Sequence, residues 1–180
     1  MEIRIAKPPE VLSTKLPRHE QAFYLRYAEI VRIALSMPEV QKIMLLMATN
    51  ECLNLRKIRD VRVMIFPHGS ADPEQEHRKR LKLDSKGLCC SGTYNPLTGT
   101  ISIYPIFTNP ERQAVKLLTN ETIIAGITLT AISAFFEEIL HTKYDSEYMA
   151  REHLSRQQLE KEARRIADRY VDAFIEAAKS

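Results

Sequence analysis

One long apolar segment constrains the fold of this 180-residue chain more than any other feature of its sequence. The segment runs from Asn120 to Thr142, and apolar residues recur along it at helical steps: Ile123, Ile127, Ile132, Phe136 and Leu140. Further apolar residues lie between them, and a helix that is apolar on every side is buried by the rest of its protein. The sequence therefore predicts a central, buried helix over 120–142.

The same segment bears on membrane insertion and on the cellular compartment. Its most apolar window, Thr122 to Phe136, is 15 residues long and carries four hydroxyl side chains, whereas a bilayer span needs about 20 apolar residues. The first ten residues, MEIRIAKPPE, lack the apolar run of a secretory signal. The three cysteines are an odd number, and two of them are adjacent, which suits reduced thiols. We expect a cytoplasmic protein with no membrane partner.

Helices are also predicted on both sides of this segment. Apolar spacing indicates one over about 18–36, and Pro38 suits the first turn of a second. The last helix should begin at a capping box formed by Ser155 and Gln158. Its apolar residues then follow one face: Leu159, Ala163, Ile166, Tyr170 and Phe174.

Strands are predicted between the two groups of helices. The segment Val61–Pro67 alternates like a strand, and GLCCSGTYNPLTGTISIYP contains two strands around the turn NPLTG, with Cys89 and Cys90 as strand residues. A small antiparallel sheet between helices is an α+β layout. We predict a single domain over 1–180, with a helical part at 1–60, the sheet and a basic loop (68–86) within 61–105, and a two-helix core at 120–178.

The predicted central helix ends in a charged group, AFFEEILH. Residues four apart share a helix face, so Glu137 and His141 could hold one ion, while Glu138 projects to the adjoining surface. Unpaired carboxylates in apolar surroundings are costly. The sequence therefore predicts that a metal ion, an arginine or a lysine satisfies these groups.

A further carboxylate borders the apolar stripe of the last helix. Glu162 follows Leu159 by three residues and precedes Ile166 by four, so it faces inward more than an ordinary surface glutamate does. It lies in the fragment LEKEARRIADRYV, 21 residues after His141.

These fragments resemble the gluzincin branch of the zincin metalloproteases. In that family one helix carries H-E-x-x-H, and a glutamate on a following helix is the third metal ligand. The resemblance covers roughly Gly87 to Val171. It implies a zincin-like fold in which His141 and Glu162 are metal ligands and Glu138 is the general base. The strand before the helix would align a peptide, which implies substrate-binding roles for Thr100, Ser102 and Tyr104.

Glu137 stands where the family has its first ligand histidine. Two glutamates and one histidine make a harder, more anionic site that suits manganese or iron as well as zinc. The added negative charge also opposes acidification of a bound water. We therefore predict a metal-dependent hydrolase, most simply a peptidase with a peptide or protein substrate. The alternative is a catalytically inactive scaffold that binds no cofactor and serves as a binding module.

Several other interpretations of the same residues remain open. Glu137 and Glu138 could form a solvated helix end, Glu162 could pair with Arg165 or Arg169, and His153 could replace Glu162 as ligand. The net charge of +3 names no partner, but the basic run at 77–86 could contact nucleic acid through phosphates. A di-iron site is disfavoured because that architecture is built on a four-helix bundle, and the predicted strands argue against a bundle.

Overall fold

The computed structural model describes residues 2–6, 17–66, 92–105, 114–143 and 155–179. Its strands are β1 (Ile3–Ile5), β2 (Asp60–Val63), β3 (Gly92–Asn95) and β4 (Thr100–Ile103). Its helices are α1 (Arg18–Leu35), α2 (Pro38–Asn50), α3 (Ala114–Leu117), α4 (Glu121–Leu140) and α5 (Arg156–Lys179), with a 3-10 turn at Leu55–Lys57. The predicted loop at 68–86 with its basic run, together with Cys89, Cys90 and His153, lies outside the described residues.

The helix and strand content confirms the predicted α+β class, but the sheet is mixed rather than antiparallel. Its strand order is β1-β2-β4-β3. β1 pairs parallel to β2, and β2 pairs parallel to β4; β3 and β4 form the antiparallel hairpin that the turn NPLTG predicts. The two parallel pairs join strands that are distant in sequence: Ile3 lies opposite Val61, and Val61 lies opposite Ile101. β1 was missed because its three residues are too few to show a strand pattern.

The hairpin turn is fixed by a glycine. Gly99 has a φ of +69°, and a Cβ at this position would stand 2.4 Å from the carbonyl oxygen of Lys57. Within the turn, the Asn95 side chain accepts hydrogen bonds from the backbone N–H groups of Leu97 and Thr98. Only glycine combines the left-handed conformation with this close approach. The turn thereby joins β3 to the middle of the sheet.

Helix α4 is the central helix, as predicted, but its burial is uneven. Its N-cap is Asn120, whose side chain accepts from the backbone N–H groups of Thr122 and Ile123. The helix packs against α1, α5, β3 and β4, and its buried residues concentrate towards its C-terminal end. It has 20 residues, so by length and composition it could cross a membrane, and half of its most apolar window is buried inside the protein.

Helix α5 begins as its capping box predicts. The Ser155 N–H donates to the Gln158 side-chain oxygen at 2.8 Å, and the Gln158 N–H donates to the Ser155 hydroxyl at 3.3 Å. The predicted apolar stripe is buried. Further along, the Tyr170 hydroxyl donates to the Glu51 carboxylate at 3.1 Å, which ties α5 to the end of α2. Helix α5 packs against both α4 and α2.

Candidate metal site

The charged end of α4 faces the first turns of α5. The His141 Nε2 lies 3.4 Å from a Glu160 carboxylate oxygen, and the Arg164 Nε lies 3.6 Å from a Glu137 carboxylate oxygen. The chain numbers rise along one helix as they fall along the other, so the two helices are antiparallel here. Two side chains four residues apart on α4 therefore meet two side chains four residues apart on α5.

Three potential metal ligands converge across this seam. One ligand atom from each of Glu137, His141 and Glu160 lies within 4.8 Å of the other two, and all three residues are partly buried. In a tetrahedral site with metal–ligand bonds of about 2.1 Å, two ligand atoms stand about 3.4 Å apart. The His141–Glu160 pair already has that spacing, so a small contraction around Glu137 would complete three ligands of one site. These three residues could hold a metal ion.

The Glu137 carboxylate has a protein partner in this geometry. Its side chain is 13% exposed, whereas the Arg164 side chain that faces it is 71% exposed. Burial raises the pKa of Glu137, although Arg164 and His141 oppose that rise. Because Arg164 is so exposed, its attraction for Glu137 is screened by solvent and weak. A cation could therefore displace Arg164 from Glu137 at small cost.

His141 and Glu160 shift each other's titration. Burial alone would lower the pKa of His141, but the hydrogen bond to Glu160 and the charges of Glu138, Glu160 and Glu137 outweigh it, so the pKa is raised. The hydrogen bond from His141 lowers the pKa of Glu160. The seam therefore attracts positive charge, whether a proton on His141 or a metal ion.

Glu138, the predicted general base, projects towards the sheet instead of α5. It is 8% exposed, and its Cγ and Oε1 stand 2.8 Å and 3.1 Å from the position of a Cβ on Gly92. Its charge also contributes to the raised pKa of His141. Glu138 therefore lies between the seam and the first residue of β3, on the neighbouring face of α4.

The structure gives Glu160 the position that the sequence analysis expected for Glu162. Glu162 pairs with Arg165, whose Nε donates to its carboxylate at 2.9 Å, which is one of the alternatives the sequence left open. Two residues turn a helix by about 200°, so Glu160 and Glu162 cannot face α4 together. The sequence signal that was missed is a pair of matching charges on each helix. Glu160 and Arg164 are four residues apart on α5, and they complement His141 and Glu137, which are four residues apart at the end of α4.

The residues expected to align a substrate lie in the middle of the sheet. Thr100, Ser102 and Tyr104 are at most 3% exposed, and β4 is paired on one side with β2 and on the other with β3. A strand with both edges paired offers no edge to a peptide. The described sheet ends instead at β3, which contacts α4.

Comparisons with models of protein families, with curated proteins and with solved structures find no match to this chain. The zincin resemblance therefore stays a prediction from the sequence. The candidate metal site rests on the chain's own geometry, in which Glu137, His141 and Glu160 approach one another across two helices.

Proposed function

We propose that this protein is a zincin-like, metal-dependent hydrolase that acts on peptides. The observation that carries the proposal is the convergence of Glu137, His141 and Glu160 at the seam between α4 and α5. Two of these residues occupy the first and fifth positions of the E-E-x-x-H motif, and the third comes from the following helix. That arrangement is the one expected of a metal-binding helix pair.

The donor set suits a borderline or hard divalent cation. One imidazole and two carboxylates are ligands for zinc, manganese or iron, and three protein ligands leave a position open for water or substrate. A bound ion of this kind supplies a more acidic water and polarises a carbonyl. The two carboxylates make the effect on water smaller than neutral histidines would. The proposed site is therefore a weaker activator than one built on H-E-x-x-H.

Glu138 supplies the base in this proposal. Its charge acts on His141 and it is not one of the three converging ligands, so in this proposal it accepts a proton from a water and passes it to the leaving amine. Burial against Gly92 restricts the directions in which the carboxylate can point. The residue is therefore pre-oriented for proton transfer.

Peptide alignment is assigned to β3 in place of Thr100, Ser102 and Tyr104. β3 ends the described sheet, and its first residue contacts Glu138. An extended peptide that adds to a strand edge gains main-chain hydrogen bonds. A peptide held on Gly92–Asn95 would pass beside the proposed base, which brings the scissile bond within reach of the site.

Metal analysis of protein purified without chelators tests this proposal. We expect close to one equivalent of zinc, manganese or iron by elemental analysis. Adding the ion at 100 times its Kd should stabilise the folded state by about 2.7 kcal/mol. For a chain of this length that corresponds to a rise in melting temperature of about 5–10 °C. No bound metal and no shift with millimolar zinc or manganese would remove the enzyme proposal.

A matched variant gives this experiment its control. His141→Gln removes the imidazole ligand while keeping a polar side chain of similar length at the seam. We expect this variant to lose the metal-dependent rise in melting temperature. An equal rise in wild type and variant would assign the stabilisation to ions bound elsewhere.

The second candidate is an inactive scaffold of the same fold. It is favoured by the ion pairs Glu137–Arg164 and His141–Glu160, which already give the seam's charged groups protein partners. In this candidate the protein is a binding module, and the basic run at 77–86 is its suggested contact with nucleic acid. The metal analysis decides between the two, because the scaffold predicts no stabilisation by metal.

A further inference from the structure

A groove of about 360 Å³ lies along the seam between α4 and α5, beside the candidate metal site. Its lining from α4 is Leu129, Thr130, Ser133, Ala134 and Glu137, and its lining from α5 is Arg164, Asp168 and Val171. Ligand pockets typically enclose about 300–1,000 Å³. The groove is therefore at the small end of that range and suits one side chain more than a large ligand.

The groove is lined by two carboxylates, Glu137 and Asp168, and by one cation, Arg164. Glu137 faces Arg164 at the end nearest the metal site. Asp168, one turn further along α5, makes no hydrogen bond or ion pair within the part of the chain that the structure describes. The rest of the lining is apolar or carries a hydroxyl. The Thr130 hydroxyl already donates to the Gly126 carbonyl at 2.9 Å.

We propose that this groove binds a lysine or arginine side chain of a peptide. The aliphatic stem would lie over Leu129 and Val171, and the charged head would meet the Asp168 carboxylate. Basic side chains bind in this way because their stems are apolar and only their ends need water or a counter-charge. The inference rests on the proposed function only where it treats the bound peptide as a substrate. In that case the groove makes hydrolysis selective for peptides with a basic residue.

The candidate metal site and the groove are far enough apart for a metal ion and a basic side chain to be bound at the same time. Glu137 lines the groove, but Asp168 follows Glu160, the candidate ligand on α5, by eight residues, which is about 12 Å along a helix. The Debye length at physiological ionic strength is about 8 Å, so a metal ion at Glu160 and an ammonium group at Asp168 repel each other weakly. A basic residue in the groove is therefore compatible with an occupied metal site.

Binding of a small probe tests the groove separately from hydrolysis. The probe is Nα-acetyl-lysine methylamide, titrated in the presence of EDTA while the methyl NMR signals of Leu129 and Val171 are followed. We expect both signals to shift on saturation. The norleucine analogue, which has a similar stem and no ammonium group, should bind at least about threefold more weakly, as expected of losing one charge pair.

Two asparagine variants localise the charge effect. Asp168→Asn should weaken lysine-probe binding at least about threefold and leave norleucine binding unchanged. Asp172→Asn, an equal charge change on the same helix at a residue that does not line the groove, should weaken it less than twofold. Equal binding of the two probes, or equal losses in the two variants, would overturn the inference. Because EDTA removes metal ions, this experiment tests the groove alone. If the probe does not bind, the proposed metal site is not contradicted, and if the protein binds no metal, the probe result still stands.

Discussion

The Cγ of Glu138 lies 2.8 Å from the point at which a Cβ on Gly92 would stand. Real Cβ contacts are longer than this, so any side chain at Gly92 must displace either the glutamate or the strand. The contact joins the predicted base on α4 to the edge strand β3. The absence of a side chain at Gly92 therefore leaves room for the Glu138 side chain.

Gly92→Ala should destabilise the protein by about 1–3 kcal/mol, the usual cost of inserting a methyl group into a packed interior. Denaturant unfolding measures the change. Gly126→Ala is the matched control, because a Cβ at Gly126 meets nothing within 4 Å. An exposed helical glycine replaced by alanine should raise stability by about 0.5–1 kcal/mol.

A double mutant identifies why Gly92→Ala lowers the stability of the protein. If the new methyl group clashes with Glu138, then Glu138→Ala should remove most of the cost, giving a coupling energy of about 1 kcal/mol or more. Additive effects of the two changes would show that the strand, and not the glutamate, resists the methyl group.

Glu160→Gln should weaken metal binding at least about tenfold, because it removes a charged ligand from the seam. Glu162→Gln is the matched control on the same helix, since Glu162 pairs with Arg165. Its metal affinity should stay within about twofold of wild type. Competition with a fluorescent chelator measures both values. The reverse order of effects would restore Glu162 as the third ligand.

Metal affinity should rise with pH and then level off. A metal ligand must be deprotonated, so protons compete with the ion at His141 and at Glu137. The pKa of each is raised, that of His141 above its usual 6.5 and that of Glu137 above its usual 4.5. Affinity should therefore fall about tenfold per pH unit below the pKa of His141 and more steeply near that of Glu137. A pH-independent affinity between pH 5 and pH 8 would contradict the seam as the binding site.

Glu138→Gln should reduce hydrolysis of a quenched fluorescent peptide about 100-fold or more and lower metal affinity far less than Glu137→Gln does, because a general base contributes mainly to rate. Glu137→Gln should lower both. Retained turnover in Glu138→Gln would remove its assignment as base, and loss of metal from that variant would make Glu138 a ligand.

The four long helices were predictable because each has a local signal, whereas the four-residue α3 was not predicted. Asn120, Pro38 and the Ser155–Gln158 capping box mark helix starts, and apolar spacing marks the buried faces. The parallel pairs of the sheet were not predictable, since the alignment of Ile3 with Val61 depends on tertiary packing and not on neighbouring residues. The central position of β4 follows from the same long-range pairing.

The α4 half of the candidate site was predictable because Glu137 and His141 need only helical spacing to meet. The third member was not, because choosing Glu160 over Glu162 requires the rotation of α5 about its own axis relative to α4. That rotation is set by the whole apolar stripe of α5. The Gly92 contact was equally hidden, since it joins a strand to a helix 46 residues away in sequence.

The length of α5 gives the candidate site a mechanical connection to another part of the molecule. The helix has 24 residues, and Tyr170, which is bonded to Glu51, follows Glu160 by ten residues, or about 15 Å. A straight helix is rigid over that distance. If metal binding moves Glu160 towards α4, Tyr170 at the end of α2 therefore moves as well. A fluorine label on Tyr170 would report metal binding by a change in its NMR signal, and a signal that ignores a bound metal would show that α5 bends between the two residues.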